Sequence, residues 1–156
     1  MALVLRLLGV THEDVMADYV LSDESRRAVD DRLRRDVIEP MVRAHPNVEY
    51  IGEINEAQKA SFLGGARALL FPIDWEEPFG LVMIGAMACG TPLIAFRRGS
   101  VPEVIDHGVS GYVVEDVDEA VQAVEMLDAL GRRRVRAAFD QRFTVERMAL
   151  DYVDLY

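Results

Sequence analysis

The stretch best equipped for chemistry spans residues 69–104, LLFPIDWEEPFGLVMIGAMACGTPLIAFRRGSVPEV. Residues 68–72 form an uninterrupted apolar run, the mark of a strand covered on both faces. A loop follows with Trp75, Glu76 and Glu77, and a helix is expected to start near Phe79-Gly80 and reach Cys89. First-turn amides have no partner inside their own helix, so the N–H groups of Phe79, Gly80 and Leu81 are left facing the loop. Together with the positive end of the helix dipole they make an anion site suited to a diphosphate. Gly80 lets a ligand approach the backbone closely. Glu77 stands at the mouth of this site; a carboxylate there repels phosphate but accepts hydrogen bonds from sugar hydroxyls.

The remaining polar residues have plainer readings. Trp75 reads as a half-buried loop anchor and Glu76 as a solvated carboxylate. Arg97 and Arg98 follow a strand end and read as surface ion-pairing groups. Lys59 sits on a polar helix face, and Glu103 caps or pairs locally. His12, His45 and His107 each stand away from any other catalytic candidate. Cys89 is the single cysteine, which excludes an internal disulfide; nothing around it has metal-ligand spacing, and it reads as a small buried residue at a helix end.

Positioning these groups requires strands that alternate with helices. Strands are expected at 48–51, 68–72, 93–96 and 112–114, while residues 3–10 fit either a buried strand or a short apolar helix. Thr11 with Asp14 reads as the cap of a helix over 12–21, and a second helix is expected over 22–38, with Pro40 interrupting it or opening a last turn. Asn55 caps a helix that ends at Gly64-Gly65, and a short helix is expected over 102–105. Asp116 and Glu119 form a capping box for a helix that turns Val117, Val121, Val124 and Leu127 to the core, with Gly131 as a C-cap. Helices over 132–141 and 145–155 close the chain, the last capped by Thr144. This alternation implies α/β architecture: a Rossmann-like, three-layer α/β/α domain with a short parallel sheet of about four strands, binding ligands at the carboxyl ends of its strands. The chain reads as one domain, residues 1–156, in which 1–30 form an atypical helical N-terminal segment.

Charge narrows the partners. The 156 residues carry 17 Lys plus Arg against 27 Asp plus Glu, a formal net charge of −10. Nucleic-acid binding needs clustered cations for the phosphates, and anionic membrane surfaces repel such a chain, so both are excluded. The apolar start, residues 3–8, is too short to span a membrane and lacks a basic leader, so a cytoplasmic protein is expected.

The 69–104 stretch resembles the signature of family-4-type retaining glycosyltransferases, whose two-domain architecture is called GT-B. That signature reads E-P/G-F-G-L-x-x-x-E-A-M-A-x-G-x-P, and Glu77, Phe79, Gly80, Leu81, Ala86, Met87, Ala88, Gly90 and Pro92 match it. The loop Gly99-Ser100-Val101-Pro102-Glu103 is similar to the family's next motif, Gly108 and Gly111 to its d-G-x-x-G turn, and NVEYIGEINEAQK (47–59) to its V-x-F-x-G strand and loop. The resemblance covers residues 32–156 and implies an incomplete GT-B C-terminal domain that takes a nucleotide-diphosphate sugar as substrate, with no metal or other cofactor. It gives Glu77 the contact to the donor sugar, the amides of Phe79, Gly80 and Leu81 the sugar and diphosphate, and the region of Ile54 and Lys59 the base. Gly99 and Ser100 join the binding set through their motif.

Two departures stand out. Where the family has a second Glu that grips the ribose hydroxyls, this chain has Gly85. Six residues beyond Phe79, at 1.5 Å each, is ~9 Å along a helix, about a diphosphate-to-ribose separation; Gly85 has no carboxylate to offer there, so weakened donor binding is expected. The family's opening strand, glycine-rich loop and Arg…Lys pair also have no counterpart. Instead LRLLGVTHEDVMADYVLSDE (5–24) is similar to a helical stretch downstream of the Cys-x5-Arg loop in bacterial tyrosine-phosphatase-like proteins; that loop is absent, so no phosphatase activity is implied. The resemblance therefore implies a chain lacking the N-terminal acceptor domain and inactive in transfer by itself. The alternative is a non-catalytic module, with an uncovered sheet edge or apolar face that a homodimer would cover.

Overall fold

In a computed structural model, residues 31–32, 34–45, 47–52 and 54–155 are described. The expectations for 3–10, for the Thr11 cap and for the helix over 12–21 lie outside them. The chain divides into two compact units, Met1–Ile54 and Asn55–Tyr156.

In the first unit a π-turn, Arg34–Ile38, runs into α1, Glu39–Ala44. Pro40 sits in the first turn of α1, where its missing amide forfeits no helical bond. The strand expected at 48–51 is not formed: Val48, Tyr50 and Ile51 have no regular structure and are exposed. A strand exists through its ladder, and no described segment pairs with this one.

The second unit carries the sheet, in three strands rather than about four. Helix α2 (Glu56–Gly65) starts at a reciprocal capping box, Asn55 Oδ1 accepting from Gln58 N–H at 3.0 Å and Gln58 Oε1 from Asn55 N–H at 3.2 Å. Strands β1 (Leu69–Phe71), β2 (Leu93–Phe96) and β3 (Gly111–Val114) then form a parallel sheet in that order, joined through α3 (Leu81–Ala88) and the short α4 (Val101–Val104). Helices α5 (Val117–Glu125), α6 (Arg132–Arg142) and α7 (Val145–Leu155) follow.

The register aligns Leu70, Ile94 and Tyr112 in one row. Ile94, Tyr112 and Val114 meet Ala123, Leu127 and Leu130 to form the core on that face. On the opposite face α3 packs against β1 and β2 with Met83 and Met87 fully buried, each burial stabilising by roughly 1.5–3 kcal/mol.

Helix α5 is rotated from its expected orientation. Val117, Val121 and Val124 are exposed, whereas Ala123 is fully buried. The alanine side lets the helix approach the sheet closely, and Tyr112 fixes the rotation by donating its hydroxyl to Met126 O at 3.1 Å. Asp116 caps α5 as expected, accepting from Glu119 N–H at 2.9 Å, but the Glu119 carboxylate takes the Glu115 amide, one residue before the cap. Gly131 is not a C-cap. A 3-10 turn, Leu127–Ala129, ends the preceding helix, and Gly131, with an ordinary φ of −75°, opens α6. Thr144 caps α7 as expected, accepting from Arg147 N–H at 3.2 Å. No helix among the described residues is long and apolar enough to cross a membrane.

Candidate functional site

At the carboxyl ends of β1 and β2, the loops leading to α3 and α4 are stitched together around Glu77. Its carboxylate accepts two hydrogen bonds: Oε2 from the Trp75 indole N–H at 3.0 Å and Oε1 from the Gly80 amide at 3.0 Å. Its backbone carbonyl accepts a third, from Ser100 N–H at 2.9 Å. Next to it, Glu76 is exposed, as expected of a solvated carboxylate, and its Oε2 in addition accepts from Gly99 N–H at 2.6 Å, tying the two loops. Arg98 bridges the same two loops by pairing with Asp74 at 3.2 Å, and Arg97 pairs with Glu115 at 2.5 Å, as their surface reading anticipated.

Two glycines serve this junction, Gly80 through its left-handed backbone and Gly99 through the close approach of the loops as well. Gly80, at φ +74°, is the left-handed N-cap of α3, and a Cβ there would sit 2.5 Å from Met83 Cε. Gly99, at φ +49°, lies against the other strand's loop, and a Cβ would come within 2.4 Å of Glu77 O and 2.5 Å of Glu77 N. Any side chain at 99 would push the Glu77 backbone away.

Around this junction lie unspent polar groups. The amides of Phe79, Leu81 and Val82 have no acceptor among the described residues. The Ser100 hydroxyl is buried with no hydrogen-bond partner among the described residues, in a residue only 8% exposed. A buried hydroxyl without a partner costs about 1–3 kcal/mol, which a ligand oxygen would recover. The Gly80 amide differs from its expected role, because it serves Glu77. Leu81 and Phe79 are exposed, and the Phe79 ring packs edge-on to Phe143 at 6.4 Å.

Lys59 forms an ion pair with Glu56 one turn back on α2. Ile54 is the last residue of the first unit and is half-buried. Gly85 is the fifth residue of α3 and half-buried; a Cβ there would meet Leu63 Cδ1 at 3.7 Å and nothing else within 4 Å. His107 is structural, its Nδ1 accepting from Val113 N–H at 3.1 Å. Cys89 borders a cavity of about 350 Å³ at the opposite end of α3. There Arg132 and Arg136 cap helix carbonyls, Arg132 donating to Gly64 O at 2.6 Å and Ala66 O at 2.8 Å, and Arg136 to Ala88 O at 2.7 Å. No group of three His, Cys, Asp or Glu among the described residues is arranged to hold a metal ion. The part of the site that residue types alone missed is the pair Trp75 and Glu76. Their tight spacing before Glu77 was visible, but the loop path that turns the indole back onto residue 77 was not.

Comparison with known proteins decides the family. The model of glycosyl transferases group 1 matches residues 41–143, about two-thirds of the chain. The chain belongs to the group 1 glycosyltransferases. This group 1 glycosyltransferase chain is 38% identical over 96 residues to N-acetyl-alpha-D-glucosaminyl L-malate synthase of Bacillus anthracis, covering 56% of this chain and 25% of that protein. Sucrose-phosphate synthase from Thermosynechococcus elongatus superposes with a TM-score of 0.68 at 29% identity, over 81% of this chain and 34% of that one. Anabaena HepE, solved in complex with UDP, superposes with a TM-score of 0.63 over 78% of this chain and 37% of its own, and at 20% identity it shows the fold alone. The group 1 chain thus spans about a quarter to two-fifths of the length of these relatives. A tyrosine phosphatase family model matches residues 1–70, overlapping the glycosyltransferase match from 41 onward. That agrees with the likeness at residues 5–24.

Proposed function

We propose that this chain is the donor-binding portion of a retaining glycosyltransferase and takes a nucleotide-diphosphate sugar at the start of α3. The observation that carries the reading is the Glu77 carboxylate, fixed by two donors beside the free Phe79 and Leu81 amides and the unpartnered Ser100 hydroxyl. Amides at a helix start suit the diphosphate, and an oriented carboxylate suits the sugar hydroxyls. HepE, whose structure shares this fold, was solved in complex with UDP, which supports a nucleotide as the ligand. The chain matches only about a quarter to two-fifths of its relatives' length, and the expectation is that by itself it carries no transferase activity. Calorimetric titration with UDP, GDP and ADP tests the reading: micromolar binding of one of them is expected, and no binding of any overturns it. A turnover assay with several donors and simple acceptors tests the inactivity, and sugar transfer with retained configuration would refute it.

A second reading, a self-associating module without donor binding, is favoured by the edge of the sheet. Leu70 is 50% exposed, although its row-mates Ile94 and Tyr112 are 2% and 8% exposed, and the outer side of β1 is unpaired among the described residues. A strict monomer in sedimentation at high concentration would exclude it.

A further inference from the structure

Glu77 does not orient itself. Its side chain has three rotatable bonds and lies in a loop, yet each carboxylate oxygen is held by a different donor, the Trp75 indole and the Gly80 amide, both at 3.0 Å. A carboxylate has about four acceptor positions, so these two bonds leave one lone pair on each oxygen for incoming hydroxyls. Both holders donate. Only a carboxylate satisfies them together, because the NH2 of a glutamine would face one N–H with another. The Gly80 amide is part of the α3 start and is present whatever the neighbouring residue. The indole is the discretionary half of the pair.

We propose that Trp75 is the positioning residue for Glu77: its indole N–H holds the carboxylate in the pose that receives the donor sugar, and so selects nucleotide sugar over bare nucleotide. This rests on the donor-binding reading above. Removing the N–H while keeping a flat ring, as in Trp75→Phe, leaves the loop packed and frees Oε2 to turn away. The sugar then meets a carboxylate that must be ordered on binding, whereas the diphosphate contacts, made by amides and Ser100, are unaffected. Trp75 is also the only tryptophan in the chain, so its emission reports directly on the bond to Glu77.

The test uses the full chain with UDP and UDP-glucose as probes, by calorimetry and tryptophan emission. In the wild type, UDP-glucose is expected to shift the Trp75 emission and UDP to leave it nearly unchanged. Trp75→Phe is expected to weaken UDP-glucose about tenfold and UDP less than twofold. Glu77→Gln, which keeps the residue's size, is expected to reproduce that selective loss. In a Glu77→Ala background Trp75→Phe is expected to have no further effect, because its action passes through Glu77. Equal losses for both ligands, or a Trp75→Phe effect that persists without Glu77, overturns the proposal and leaves donor binding standing. A wild type that binds neither probe overturns the proposal, and the donor-binding reading falls with it only if GDP and ADP also fail to bind.

Discussion

Substituting Gly85 by alanine and, separately, by glutamate separates what α3 lacks in backbone from what it lacks in chemistry. The position is the fifth residue of an eight-residue helix, with helical backbone and no positive φ. An added Cβ meets Leu63 Cδ1 at 3.7 Å, an ordinary contact, and nothing nearer. Gly85→Ala is therefore expected to stabilise by about 1 kcal/mol, the helix-interior difference between the two residues. For a unit of this size that raises the melting temperature by about 4–8 °C. Gly85→Glu is expected to recover somewhat less stability, since glutamate is a slightly poorer helix former, but it alone supplies a carboxylate ~6 Å along the helix from its first residue, Leu81, at the proposed diphosphate site. Two charge-assisted hydrogen bonds to ribose add about 1.5–3 kcal/mol, or ten- to a hundredfold in affinity. Calorimetric titration of UDP into the three proteins, with a 2′,3′-dideoxy analogue as control, reads this directly. The expected pattern is unchanged affinity for alanine and tighter binding for glutamate, with the gain disappearing for the analogue. Equal tightening by alanine would mean that helix order, and not the carboxylate, limits binding. A glutamate gain that survives loss of the ribose hydroxyls would refute the ribose argument.

Gly99→Ala should destabilise by roughly 3 kcal/mol or more, because left-handed backbone and a collision with the Glu77 carbonyl combine; Gly108→Ala, with φ +76° and open space around it, should cost only about 1 kcal/mol, and denaturant midpoints showing equal shifts would contradict the close-approach account. Arg132→Ala should cost about 1–3 kcal/mol by orphaning Gly64 O, Ala66 O and part of the Thr91 hydroxyl's bonding. Arg132→Lys should restore less than half of it, because one ammonium does not span that fork, and full rescue by lysine in thermal unfolding would count against a geometric role. Raising salt to about 0.5 M should weaken UDP binding less than threefold, since Arg97 and Arg98 are already paired and amide dipoles carry the diphosphate; a tenfold loss by titration would reveal a free cation that the argument omits.

The parts of the fold written in short-range chemistry were legible in the sequence. Asn55, Asp116 and Thr144 cap the helices expected of them, because a cap is a bond between residues three apart. The strands at 69–71 and 93–96 announced themselves as apolar runs, but the first is not covered on both faces as expected, since Leu70 is half exposed. What failed depended on partners far along the chain. Val48–Ile51 has strand composition but no neighbour to pair with. The valines of α5 looked like the core face, yet the closer fit of Ala123 beneath the Tyr112 row turned them outward. Glu76 is exposed as expected, but its bond to the Gly99 amide, 23 residues away, has no local sign. The site showed the same division. The motif located Glu77, Gly80, Gly99 and Ser100, while the bonds among them came only from the folded loops.

Those bonds bear on why the two motif glutamates have parted company in this chain. Glu77 does work without any ligand. It occupies the Gly80 amide at the positive end of α3, anchors the indole of Trp75 and accepts the loop after β2 through its own carbonyl. An internal anion at a helix start stabilises by a fraction of a kcal/mol to about 2 kcal/mol, so replacing Glu77 harms the fold whether or not a sugar ever arrives. At position 85 the fold offers no comparable tie at the backbone: a Cβ there would meet only Leu63 Cδ1, at 3.7 Å. The presence of Glu77 is thus accounted for by the architecture of the loop, and what marks a working donor site is the groups the fold leaves unspent, among them the Phe79 and Leu81 amides and the Ser100 hydroxyl. Of these the hydroxyl is the most telling, because an exposed amide can turn to water whereas a buried oxygen without a partner destabilises the empty protein.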